Sequence, residues 1–146
     1  MLGSAVPNGL VDSPDVKRAW ARYISKFISA YAAQGVPVWA VTPQNEPEFP
    51  APWEACAYTA AYEKEFIADY LGPVLAEEHP GTLLLGFDHN KDHLPAWSEA
   101  LLKGRGRKYV AGMAFHWYAP NDDRNLDGTF GYDAVSSPVI SRPASA

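Results

Sequence analysis

Three polar clusters in this chain each follow an apolar run, and each holds side chains able to move protons. Asn45-Glu46-Pro47 comes just after Val36-Pro37-Val38-Trp39-Ala40-Val41-Thr42. Asp88-His89 ends the run from Thr82 to Phe87, and His116-Trp117-Tyr118 ends the run from Tyr109 to Phe115. A carboxyl group can give a proton to a departing oxygen and later take one from water, and an imidazole titrates near neutrality. Glu46 is the first candidate for such an acid. Pro47 disfavours a helical backbone at the residue before it, so Glu46 is expected to be extended and aimed.

The runs that carry these clusters are apolar almost without a break. They read as strands buried on both faces, as in parallel sheets covered by helices. Between them the period becomes helical. Ser13-Pro14-Asp15 offers a capping hydroxyl, a first-turn proline and an acid at the positive end of a helix. Val16, Trp20, Tyr23, Ile24, Phe27, Ile28 and Tyr31 then recur on one face, and Gly35 supplies the stop. A proline-rich loop follows, and Tyr58, Tyr62, Phe66, Ile67, Tyr70, Leu71, Val74 and Leu75 predict a second helix, kinked or broken at Gly72-Pro73. A third helix is expected from about Leu94 to Lys103, with Leu94, Trp97, Leu101 and Leu102 inward. Trp20, Trp39 and Trp97 are expected in the core. The order helix–strand–helix–strand–helix–strand implies an α/β fold, its parallel strands joined by right-handed crossovers. Parallel strands place their carboxyl ends on one rim, where α/β enzymes keep catalytic groups. Asn45, Glu46, Asp88, His89, His116 and Tyr118 should therefore converge.

Each candidate also has an ordinary reading. Glu46 could be a surface loop acid, Asp88 a helix cap, and His116 a satisfied core histidine. Trp53, in the loop after Glu46, either stacks on a sugar face or anchors that loop. His89 and His93 are spaced i, i+4, but no acid helper lies between them in the metalloprotease pattern, so no metal site is expected.

Composition narrows the function classes. The 146 residues are 47% apolar and 13% aromatic, enough for one folded domain with a core. A net charge of −5 leaves no basic footprint for nucleic acid. No apolar run approaches the roughly 20 residues that span a bilayer, so no transmembrane segment is expected. Residues 1–12 show no signal-peptide pattern, and no Asn-x-Ser/Thr acceptor occurs. Cys56 is the single cysteine, which excludes an internal disulfide and a paired-cysteine zinc site. The expected organisation is one unit over residues 1–134, then a disordered Ser/Pro/Ala tail over 135–146.

The stretches Trp20-Ala21-Arg22-Tyr23, YAAQGVPVWAVTPQNEP, EFIADYLGPVL and AFHWY, in this order, resemble glucosylceramidase-type glycoside hydrolases of family 30. The resemblance implies a (β/α)8 TIM barrel, of which this chain holds about three strands with their helices. It also implies retaining cleavage of a β-glucosidic bond, typically that of glucosylceramide. By position, Glu46 matches the general acid/base and Asn45 the residue that binds the sugar 2-hydroxyl. His116 and Tyr118 match wall residues near the nucleophile, and Asp88 an acidic wall position, whereas His89 replaces a second acid. The family nucleophile is a downstream glutamate in a Ser-Glu or Thr-Glu context, and no glutamate follows Glu99 here.

Several expectations follow from the resemblance. The chain alone should be inactive, with a β-glucoside or glucosphingolipid as substrate only of a completed site. A truncated, non-catalytic product with weak sugar or lipid binding is one alternative. A family 30 hydrolase of xylan or β-1,6-glucan is another. No cofactor is implied, because two carboxyl groups suffice for retaining hydrolysis. Relatives are expected to be lysosomal or secreted, and open sheet edges could mediate association.

Overall fold

The computed structural model describes residues 10–49 and 55–116. Trp53, Tyr118 and the expected tail lie outside the described residues. Helix α1 runs over Pro14–Ala33, strand β1 over Ala40–Val41, helix α2 over Ala60–Phe66 and helix α3 over Gly72–Glu78. Strand β2 spans Leu83–Asn90, helix α4 Leu94–Leu101 and strand β3 Val110–His116. The strands form one parallel sheet in the order β1-β2-β3, with Ala40 beside Leu83 and Leu84 beside Val110. The expected alternation of helix and parallel strand is the fold observed.

The core lies between this sheet and the helices that follow its strands. Phe66, Ile67, Leu71 and Leu75 meet Leu84 and Phe87 of β2, with Leu94, Trp97 and Leu101 of α4 closing the layer. Burying one such side chain stabilises the fold by about 1.5–3 kcal/mol. The second helix does not break at Gly72-Pro73. Instead Ile67–Leu71 widens into a π turn, and the Gly72 N–H reaches back to the Ile67 carbonyl. A single π turn takes up the register that a proline would otherwise disrupt.

Two expectations near the amino end are corrected. Helix α1 begins as expected, the Ser13 hydroxyl accepting from the Val16 N–H at 3.3 Å. It buries Lys17, Ala21, Ser25 and Ile28, however, while Tyr23, Phe27 and Tyr31 are exposed. Polar anchors select this face. Lys17 Nζ lies 2.7 Å from Asp12 and 2.8 Å from Glu65, over the Tyr62 ring, and Ser25 bonds Glu78 and His79. The run 36–42 also forms less strand than expected, pairing as a ladder only at Ala40–Val41. Among the described residues β1 is an edge strand with a neighbour on one side only, and Trp39 is 71% exposed rather than core. Trp97 is buried as expected and Trp20 partly so.

Strand β2 carries an irregularity with consequences for the site. Its register with β3 shifts between Phe87 and His89, and both Phe87 (φ 77°) and Asp88 (φ 65°) adopt left-handed backbone. Each such non-glycine residue costs about 1–3 kcal/mol unless its surroundings hold it. The holder is Glu63 on α2, which is 0% exposed and accepts from the Phe87 N–H at 2.9 Å. Burial pushes the Glu63 carboxyl up to about 8; the Phe87 N–H opposes this shift and the nearby Asp88 charge adds to it.

Two predictions follow from this packing. A methyl group at Gly72 would run into the Tyr109 ring and come 2.5 Å from the Ile67 carbonyl oxygen. Gly72→Ala should therefore cost about 1–3 kcal/mol in urea unfolding, although alanine normally favours helix. Stability equal to the wild type would show that Tyr109 yields without cost. The second prediction concerns pH. With a folded pKa above the unfolded value, the native chain keeps a proton on Glu63 that the unfolded chain has released. Stability from this group is complete below about 4.5 and is lost as pH rises through about 8. The Glu63→Gln variant should lose up to about 1.4 kcal/mol per pH unit of that slope in denaturation curves between pH 5 and 8. Identical slopes in the two proteins would refute a protonated Glu63.

Candidate active site

The carboxyl ends of β1, β2 and β3 do converge. The Glu46 N–H donates to the Asp88 carbonyl at 3.0 Å, which ties the loop after β1 to the irregular end of β2. Two further bonds fix this loop: Phe49 N–H to the Glu46 carbonyl at 3.0 Å and Tyr58 N–H to the Pro47 carbonyl at 2.8 Å. Glu46 is therefore aimed, but not by extended backbone. Its φ is 48°, a left-handed value, because these bonds close a turn that outweighs the preference set by Pro47.

The side chains form a continuous polar chain across the rim. Thr42 Oγ1 donates to Asp88 Oδ2 at 2.6 Å. Asp88 Oδ1 lies 3.2 Å from His116 Nε2, and His116 Nδ1 lies 3.1 Å from Glu46 Oε1. Glu46, Asp88 and His116 are all partly buried, so these contacts are stronger than surface pairs while the rim stays open to a ligand. An imidazole between two carboxyl groups can pass a proton from one to the other, or hold the charge that one of them loses. His89 joins from β2, its ring meeting that of His116 edge-on at 6.3 Å. Desolvation lowers the His89 pKa, against the pull of nearby Glu48 and Glu46, and favours its neutral form.

Asn45 stays exposed beside Glu46, and its carbonyl accepts from Gln44 Nε2 at 2.8 Å. The His89 and His93 pair does not form as a unit. His93 Nδ1 lies 2.6 Å from Glu48 Oε2, and Trp97 Nε1 donates to Glu48 Oε1 at 3.0 Å. Partial burial raises the Glu48 carboxyl, yet its bonds from Trp97 and His93 win and hold it below the usual range. Glu48 thus pins the loop to α4. Three contributors went unnoticed in the sequence: Thr42, Glu48 and Glu63. Thr42, the polar residue that ends the β1 run, was a readable signal. Glu63 sits on the apolar face of its helix, where a lone acid marks a buried bond.

Comparison with known proteins identifies the scaffold. The glycosyl hydrolase family 30 TIM-barrel domain matches residues 4–134. Mouse lysosomal acid glucosylceramidase is 39% identical over 106 residues, covering 69% of this chain and 21% of that protein. An endo-1,6-β-D-glucanase of Aspergillus fumigatus is 39% identical over 105 residues, covering 71% and 21%. Among solved structures, an endo-β1,6-glucanase superposes with a TM-score of 0.72 at 29% identity, over 81% of this chain and 27% of that one. The chain therefore spans about a fifth of the length of these curated relatives. By the extent of the domain match and the shared parallel sheet, this chain belongs to glycosyl hydrolase family 30, and its three strands are part of that family's TIM barrel.

Proposed function

We propose that this chain supplies the acid/base half of a retaining β-glycoside hydrolase, with Glu46 as the proton-transfer residue. The observation that carries this reading is the Glu46 carboxyl at the strand-end rim. It is held through its own N–H by Asp88 and touched at 3.1 Å by His116. In the first step Glu46 protonates the departing glycosidic oxygen while a second carboxylate attacks the anomeric carbon. In the second step Glu46 takes a proton from water, whose oxygen attacks the anomeric carbon and releases the second carboxylate. His116 steadies Glu46 as it becomes charged, and Asp88 and Thr42 hold His116 in place. Asn45 sits beside the acid, where it could bind a sugar hydroxyl. Asp88, His116, Tyr118 and Trp53 are proposed as sugar-contacting walls.

The second carboxylate must lie roughly 5–5.5 Å from the first. No glutamate follows Glu99 in this chain, so the nucleophile of the family pattern is proposed to come from further barrel strands. Among the described residues both outer strands have an unpaired edge, and Tyr23, Phe27 and Trp39 are exposed. Further barrel segments would cover both features. We take a glucosylceramide-like β-glucoside as the substrate, supported by the likeness to the mouse lysosomal enzyme. A β-1,6-glucan is the second reading, favoured by the equal likeness to the fungal glucanase. A lysosomal setting is supported only by the likeness to the first of these relatives. Among the described residues, no helix is long and apolar enough to cross a membrane.

Grafting residues 14–116 into the barrel of the mouse relative, in place of the matching segment, tests the reading. The graft should hydrolyse glucosylceramide, whereas the isolated chain should turn over neither substrate. Glu46→Gln in the graft should lower kcat/KM by about 10²–10⁴ for substrates with poor leaving groups. The loss should be much smaller for an activated aryl glucoside, whose leaving group needs no proton. Equal losses for both substrates, or hydrolysis by the isolated chain, would remove Glu46 from this role.

A further inference from the structure

Three groups at the rim also form a set of metal donors. Glu46, His89 and His116 each offer one ligand atom, and these atoms lie within 4.8 Å of one another. His89 and His116 come from the ends of β2 and β3, and Glu46 from the loop after β1, which its N–H ties to the Asp88 carbonyl, so the set is held by the sheet. In tetrahedral zinc sites with bonds of about 2.0–2.1 Å, ligand atoms stand about 3.3 Å apart. Glu46 Oε1 and His116 Nδ1, at 3.1 Å, already have that spacing. Rotation of the His89 ring would bring the third donor in.

The surroundings of the set match those of a bound metal. A metal-ligating histidine usually gives its other ring N–H to a carboxylate, which fixes tautomer and orientation. Here His116 Nε2 lies 3.2 Å from Asp88 Oδ1, and Asp88 is itself held by Thr42 at 2.6 Å. His89 Nδ1 is buried without a hydrogen-bond partner, a costly state for a ring nitrogen. Two imidazoles and one carboxylate suit zinc and its neighbours better than calcium or magnesium, which take oxygen ligands.

We propose that this rim binds one divalent zinc-class ion through Glu46, His89 and His116, with Asp88 supporting His116 from behind and a fourth position open to water. The expected absence of a metal rested on His89 and His93, which is not the pair that meets. This site goes beyond the hydrolytic reading and competes with it. A carboxylate bound to the ion cannot donate a proton, so the ion would block Glu46.

Zinc chloride titrated calorimetrically into the whole chain tests the site without substrate or turnover, so its outcome is separate from that of the hydrolytic reading. One ion per chain is expected. Cobalt(II) should give the intense visible absorption of a four-coordinate site. His89→Ala should weaken binding at least about tenfold, and Asp88→Asn about 10–100-fold. His93→Ala should leave binding unchanged. In case a variant fails to fold, the wild-type imidazole ¹⁵N resonances give a second readout. Those of His89 and His116 should both move on zinc addition, and those of His93 should not. No binding by the wild type, wild-type affinity in folded His89→Ala, or movement of His93 alone would overturn the proposal.

Discussion

One buried hydrogen bond, from the Phe87 N–H to the Glu63 carboxyl, underlies the geometry of the rim. Side chains in a strand alternate between faces, so one extra residue sends all that follow to the opposite face. The irregularity at Phe87 and Asp88 is that extra residue. It keeps Phe87 in the core against Trp97 while Asp88 turns toward Thr42 and His116. Two successive left-handed residues would not persist in a free strand. They persist because the Phe87 N–H, diverted from the ladder, finds a fully buried acceptor on α2. The Asp88 carbonyl then receives the Glu46 N–H. The acid is thus positioned by a second carboxyl on another element that never touches it.

Much of the fold was readable in the sequence because strands and helices differ in period. Nearly unbroken apolar runs gave β2 and β3, and the i, i+3, i+4 faces gave the helices between them. The parallel order then placed Glu46, Asp88 and His116 on one rim, since chain direction settles which ends meet. The choice of face on α1 was less readable. Its aromatic stripe was the stronger apolar signal, yet a long Lys17 stem and a small Ser25 could be buried with their polar tips paired. Hydrophobic periodicity has no account of such anchors.

The site itself was legible in its members and not in its conformations. Left-handed values at Glu46, Phe87 and Asp88 have no glycine to announce them. At Phe87 and Asp88 they are imposed by bonds between residues 24 to 46 positions apart, and at Glu46 by the turn its loop closes. The i, i+4 spacing of His89 and His93 misled for a related reason. Such spacing joins two side chains only on a helix. Here His89 lies in β2 and His93 ends a 3-10 turn, so His93 turns to Glu48 and His89 to His116.

The exposed aromatic rings and the polar rim also differ in what they require. Tyr23 stacks on Trp20 and Phe27 packs against Tyr31, yet these rings and Trp39 stay exposed, and a further apolar surface would bury them. The rim needs no such cover, because its contacts run among β1, β2 and β3 and the loop tied to α4. A carboxyl group preassembled in this way would serve the proposed proton transfer without reorganising. Association that covers these rings would therefore leave Glu46 where it stands, and the arrangement at the rim is a property of the sheet, the loop after β1 and Glu63 of α2.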